Sequence, residues 1–169
     1  PGRSSNLRSC RLVSGALGST HMALTLVSLR DGHVDEHVHS FETGFYVFEG
    51  SPVLYLDGRG VKLEPGACGV LPVGAPHAFR SGSAALWIEM AAPRPRLDGS
   101  DTFLIGKAPD ASPERLDVRD PRNRNLFLLS DGQMDLDVLK RGAAFGGPTV
   151  SASMATALLA YSGIAVKML

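Results

Sequence analysis

Two histidines one residue apart, His37 and His39, open the segment "DEHVHSFETGFYVFEG" at residues 35–50. On an extended chain side chains two positions apart leave the same face, so this pair forms a two-point chelate. His77 follows forty residues later, after the turn-like "LPVGAP". Pairing of the two strands would bring it to the same spot. Three converging neutral imidazoles suit a divalent transition metal, Mn, Fe, Zn or Ni. The alternative is that each ring is a surface or core residue satisfied by hydrogen bonds. At this level both readings stand, and His21 and His33 fall outside the pattern.

The elements that must carry these rings read as short strands. "HMALTLVSLRDG" is apolar with alternation and stops at Asp31-Gly32; "GFYVFEG" and "SPVLYLDGRG" follow, and Asp57-Gly58 in the latter is a hairpin turn signal. In "VKLEPG", Val61 and Leu63 alternate inward with Lys62 and Glu64 outward, and Pro65-Gly66 ends the run. "CGVLPVGAPHAFRSGS" and "AALWIEMAAP" complete the set. Such spacing predicts an all-β sandwich or small barrel. Phe45, Tyr46, Phe48 and Trp87 are read as core residues, together with Met22 and Met90, and Cys68 as a buried hydrophobe.

The chain has 169 residues, enough for one domain or one and part of another, with 19 glycines and 11 prolines. Lys and Arg total 17 against 17 Asp and Glu, so no long-range field draws the chain to nucleic acid or an anionic membrane. Cys10 and Cys68 are the two cysteines, too few and too far apart for a disulfide framework or a thiolate zinc site, and they read as free thiols. No apolar run reaches the roughly 18 residues of a membrane span, and "PGRSSNLRSC" lacks a signal peptide's apolar core. A cytoplasmic location is the expectation. The chain opens on Pro1 rather than methionine, which suggests processing or a piece of a longer protein.

Past Ala92 the texture changes. Residues 15–92 read as the barrel, 93–125 as a linker packing the short apolar run "TFLIG", and 126–169 as further short strands with room for a short helix between Met154 and Ala160. Arg119, Arg122 and Arg124 alternate with Asp117 and Asp120, the pattern of a solvated charged surface.

The spaced residues resemble the cupin family. Its second motif runs Gly, five residues, Pro, any residue, Gly, two residues, His, three residues, Asn. Here Gly66, Pro72, Gly74 and His77 stand at those spacings, with Ser81 at the Asn position. Its first motif places Gly before His-any-His, then Glu, then Gly after six residues. Here Gly32 lies one residue too close, His37 and His39 match, Gly50 is in register, and the Glu position holds Thr43, with Glu42 one place off. The resemblance implies a double-stranded β-helix, a jelly-roll barrel holding metal at one end through His37, His39 and His77. Without the glutamate the metal would keep its full positive charge. Glu42 could replace it only across a bulge, since adjacent residues face opposite ways.

"HSFETGFYVFEG" and the tail "YSGIAVKML" are also similar to two-barrel cupins of the ureidoglycine aminohydrolase type, whose second barrel begins with a strand like "GIAVKML". One expectation is a metal-dependent enzyme on a small polar metabolite, hydrolytic or oxygen-activating, whose catalytic base would come from Glu42, Glu36 or His33, all near the mouth of the barrel by sequence. The competing expectation is a non-catalytic cupin that binds a small ligand or has a structural role. Either way a homodimer is expected, because an incomplete second barrel would leave strand edges to cover.

Overall fold

A computed structural model describes residues 4–96 and 98–128. Among these residues the fold is all-β, as the sequence predicts, and ten strands carry it. These are β1 (Ser4–Val13), β2 (Ala23–His39), β3 (Glu42–Glu49), β4 (Val53–Leu56), β5 (Arg59–Lys62), β6 (Ala67–Leu71), β7 (His77–Ala92), β8 (Thr102–Gly106), β9 (Pro113–Arg115) and β10 (Leu126–Leu128). The chain divides into two compact units, residues up to Pro65 with Gly69–Leu116, and Gly66–Cys68 with residues from Asp117 onward. The expected strands at 126–169 and the helix at 154–160 lie outside the described residues, except for β10.

The first unit is built on one long antiparallel pair. β2 and β7 run side by side from Ala23↔Ala91 to His37↔His77, with register shifts between Arg30 and Gly32 and between Val34 and His37. β3 flanks β7 from Glu42↔Ala92 to Glu49↔Leu86, and β4 takes the same edge further along at Leu56↔His77. β1 and β8 pair with different stretches of β2, and β9 runs parallel to β5. β1 precedes residue 15, where the sequence reading begins the barrel.

Turn chemistry sets much of this register. Leu56 faces Arg59 across a two-residue loop in which Asp57 and Gly58 both have positive φ, 53° and 73°. That is the hairpin expected of Asp-Gly, since a turn of this hand matches the twist of its strands. Asp31-Gly32 behaves differently. The sequence reading stops a strand there, but β2 continues through it as a bulge, with Asp31 at φ 44°. β1 crosses so closely that a Cβ on Gly32 would lie 2.2 Å from the Ser5 carbonyl oxygen. The glycine is there for close approach rather than for a chain reversal.

Inward positions alternate as the pleat requires. Val61 and Leu63 are buried and Lys62 is exposed, and Val27, Leu29, Phe45, Val47, Leu54, Phe79 and Trp87 form the interior. Each large apolar side chain so buried contributes roughly 1.5–3 kcal/mol. Of the aromatics read as core, Phe45 and Trp87 point inward, whereas Tyr46 is half-buried, Phe48 is exposed, and the two rings lie edge to face. Met90 is likewise exposed. These residues have the opposite parity on β3 and β7, so they face outward.

In the second unit the Asp120 side chain caps a short 3-10 helix, Pro121–Asn123, by accepting from the Arg122 backbone N–H, and it pairs with the Arg122 guanidinium at 2.6 Å. Arg119, Arg122 and Arg124 are exposed, and Asn123, Leu126 and Phe127 are buried. No described helix is long and apolar enough to cross a membrane.

Candidate metal centre

His37 and His39 end β2 and His77 begins β7, so the ladder that pairs His37 with His77 also assembles the cluster. The loop before His77 is fixed by its own motif. Pro72 accepts from the Ala75 N–H at 3.1 Å, closing a turn, and the Gly74 N–H donates to the His39 carbonyl at 2.9 Å. Gly74 takes positive φ, 74°, which aims its amide back at β2. Pro72, Gly74 and His77 therefore form one device that ties the start of β7 to the end of β2.

One ligand atom from each ring lies within 4.8 Å of the others. Ring centroids are 4.3 Å apart for His37 and His77, 4.7 Å for His37 and His39, and 5.0 Å for His39 and His77. His37 Nδ1 lies 2.7 Å from the Asp35 carbonyl oxygen and His77 Nδ1 lies 2.9 Å from that of Ala75. A carbonyl only accepts, so in both rings Nδ1 carries the proton and Nε2 presents a lone pair. His39 Nδ1 sits 3.0 Å from the Thr102 hydroxyl, which leaves its Nε2 available too.

The rings are held neutral. Burial lowers the pKa of His37 against the opposing pull of the Asp35 carbonyl and the Glu36 charge. Burial, then repulsion from His77 and His37, lowers His39 to about 3. Burial and repulsion from His37 lower His77 to about 4, against the stabilising Ala75 carbonyl. Neutral imidazole is the metal-binding form.

The cluster opens on a cavity of about 300 Å³. Its walls include Val27, Val34, Phe41, Phe79 and Trp87, with Phe41 stacked on His39 and Phe79 on Trp87. Thr43, at the position where the cupin pattern has glutamate, also lines it. Thr43 is 2% exposed and its Oγ1 has no hydrogen-bond partner. A buried hydroxyl without a partner costs about 1–3 kcal/mol unless something in the cavity meets it. Three free Nε2 atoms and this orphaned hydroxyl fit a metal ion with open positions.

The other residues singled out by sequence lie elsewhere. Glu42 is exposed and does not line the cavity, because it neighbours Thr43 on a regular strand and faces the opposite way. His33 Nδ1 is 2.9 Å from the Ser5 hydroxyl and its Nε2 is 3.6 Å from Asp35, so it is satisfied away from the cavity. Glu36 is half-buried outside the cavity wall and His21 is exposed. Ser81, at the Asn position of the second motif, is buried and donates to the Ser83 carbonyl. Cys10 is exposed and Cys68 half-buried, and neither forms a disulfide.

Sequence reasoning passed over two acids in the cavity wall, Asp101 and Glu89, and Asp101 is paired with Arg96. Glu89 lines the cavity and accepts a hydrogen bond from the Trp87 indole N–H at 2.8 Å. Burial raises its pKa, and the indole contact only partly offsets this. The available signal was parity: Trp87, Glu89 and Ala91 share one face of an apolar strand, where a carboxylate is out of place.

Comparison with known proteins agrees with the geometry. The family model described as "Cupin domain" matches residues 26–90, which span both motifs and all three histidines. No curated protein matches the chain in sequence. Among solved structures it is similar to the polyketide cyclase RemF from Streptomyces resistomycificus, at 24% identity over 72% of this chain and 79% of that one, with a TM-score of 0.54. It is also similar to a cupin-like protein from Thermotoga maritima, at 13% identity over 64% and 90% of the respective chains, with a TM-score of 0.55. At such identities the likeness speaks for the fold alone. The strand order and the motif spacing agree with the family match over residues 26–90, and the all-β fold is the one expected of a cupin jelly roll.

Proposed function

We propose that this domain binds one divalent transition metal, Mn, Fe, Zn or Ni, through Nε2 of His37, His39 and His77, and acts on a small molecule held in the adjoining cavity. The observation that carries this is the orientation of the rings. Two Nδ1–H groups are committed to carbonyl oxygens, so the lone pairs are aimed inward before any ion arrives. When bound, the metal supplies Lewis acidity toward a ligand oxygen, hydrolytic or oxygen-activating in kind. The residues of the chain do the rest. Thr43 Oγ1 offers a hydrogen bond inside the cavity, Phe41 and Phe79 hold an apolar body and exclude water, and Glu89, which lines the cavity with Asp101, takes the place of Glu42 as the acid not paired with a cation. The apolar walls favour a ligand with an apolar body and a polar end over one polar throughout.

The test is metal content of protein prepared without added metal, set beside His37→Ala and His77→Ala. Near-stoichiometric metal in the wild type should drop by roughly 100-fold in affinity in either variant, since even losing an outer partner of a ligand costs about 10–100-fold. Trace metal that ignores both changes would sink the reading. A second reading, a cupin that binds a small ligand without turnover, has one observation in its favour. Among the described residues no carboxylate joins the three histidines.

We also read the chain as part of a two-barrel, cytoplasmic cupin of the ureidoglycine aminohydrolase kind, supported by the sequence resemblance of "HSFETGFYVFEG" and "YSGIAVKML" to such proteins. A second spaced histidine pair encoded downstream would support it, and its absence there would remove it. Homodimerisation is supported by β8, where Phe103, Leu104 and Ile105 are 55%, 46% and 52% exposed in a row. An Ile105→Lys variant should weaken self-association in sedimentation velocity; a wild type that sediments as a monomer at all concentrations rejects the dimer.

A further inference from the structure

Glu89 is chemically separate from the histidines. It lies across the ladder from Thr25 on β2 and Phe45 on β3, both neutral, and lines the cavity without joining the three rings that converge within 4.8 Å. Its Oε1 accepts from Trp87 Nε1, whereas Oε2 has no partner among the described residues and no cation is paired with the carboxyl. The other titratable or charged groups lining the cavity are His37, His39, His77, Arg11, Arg96 and Asp101. Arg96 is paired with Asp101 at 3.6 Å and Arg11 is exposed.

A carboxylate in apolar surroundings with one neutral donor and no counter-ion is strongly disfavoured against its protonated form. Burial acts on Glu89 in that direction. The geometry points to Glu89 as a neutral carboxylic acid whose Oε2–H donates to an oxygen of an apolar-bodied ligand, in a cavity that rejects cationic ligands of the same shape. A neutral Glu89 leaves no unpaired negative charge in the cavity wall. An ammonium group entering there loses its hydration and finds no unpaired counter-charge, Asp101 being paired with Arg96, whereas a carboxylate finds a donor in Glu89. This deepens the reading of the cavity as a ligand site next to the metal, and it holds for the metal-free protein as well.

The full chain, stripped of metal, would be titrated by calorimetry with benzoate, benzyl alcohol and benzylamine, which share one ring and differ in charge. Trp87 is the sole tryptophan, so its emission reports on the Glu89 contact directly. Benzoate should bind at least about tenfold tighter than benzylamine, the scale of one charge-assisted hydrogen bond. Its affinity should fall as pH rises through Glu89 ionisation, with a parallel change in Trp87 emission. Glu89→Gln, which keeps a donor but has no proton to lose, should bind benzoate without that fall and show flat emission, while Glu89→Ala should bind weakly.

Three outcomes overturn the proposal: benzylamine binding as well as benzoate, no benzoate binding at any pH, or an unchanged pH profile in Glu89→Gln. Failure of the metal reading looks different. Absent metal with the Trp87 titration intact sinks the metal centre alone, and bound metal with Glu89 ionising in the ordinary carboxylate range sinks this inference alone.

Discussion

At the scale of single residues, the three buried histidines make the metal-free fold sensitive to acid. Each ring is kept neutral by burial, and His39 and His77 protonate in the folded state only near about 3 and 4, against an ordinary value of 6.5. The unfolded chain therefore takes up protons first as pH falls. The stability these groups contribute is complete above 6.5 and is lost as pH drops toward the folded values. The thermal midpoint of metal-free protein should hold steady on the alkaline side and decline through mildly acidic pH. A His39→Gln variant should decline less steeply. A wild-type midpoint flat through mildly acidic pH would contradict the burial of these rings.

Legibility also differed residue by residue. The convergence of His37, His39 and His77 was readable because the pair's spacing puts both rings on one strand face and strand pairing brings the third to them. Thr43 was readable as a departure, and strand parity explains why Glu42 cannot stand in for it. Glu89 was not readable as a site residue, since a lone acid in "ALWIEM" carries no spacing that marks it. Its place in the cavity wall comes from which face of β7 turns inward.

At the scale of elements, two turn signals that look alike in sequence separate in the fold. Asp57-Gly58 reverses the chain between β4 and β5, while Asp31-Gly32 bends one strand as β1 passes over it. A dipeptide preference fixes local φ and not whether the chain continues, so the second could not be read without the crossing strand. Gly32→Ala should therefore cost about 1–3 kcal/mol through the clash with the Ser5 carbonyl, visible as a lowered urea midpoint. An unchanged midpoint would mean that β1 is not held against β2 as described. β1 itself, "SSNLRSCRLV", alternates too weakly to mark a strand, because its side chains are mostly exposed and packing on β2 supplies the order.

At the scale of the molecule, one pair of strands carries both much of the interior and the histidine cluster. β2 and β7 hold the interior at their Ala23–Ala91 end and the histidines at their His37–His77 end. A ligand that binds only the assembled state stabilises it by mass action, and here it would do so at one end of a ladder. Metal should act as a clasp on strand register. Amide exchange should slow at Val34–His39 and at His77–Arg80 on adding metal, with little change from Leu24 to Leu29 or from Leu86 to Met90. Uniform slowing along both strands would show instead that the ladder opens as one unit. The position of the histidines at the end of the longest strand pair thus predicts local fraying, rather than global unfolding, as the motion through which an ion would enter and leave.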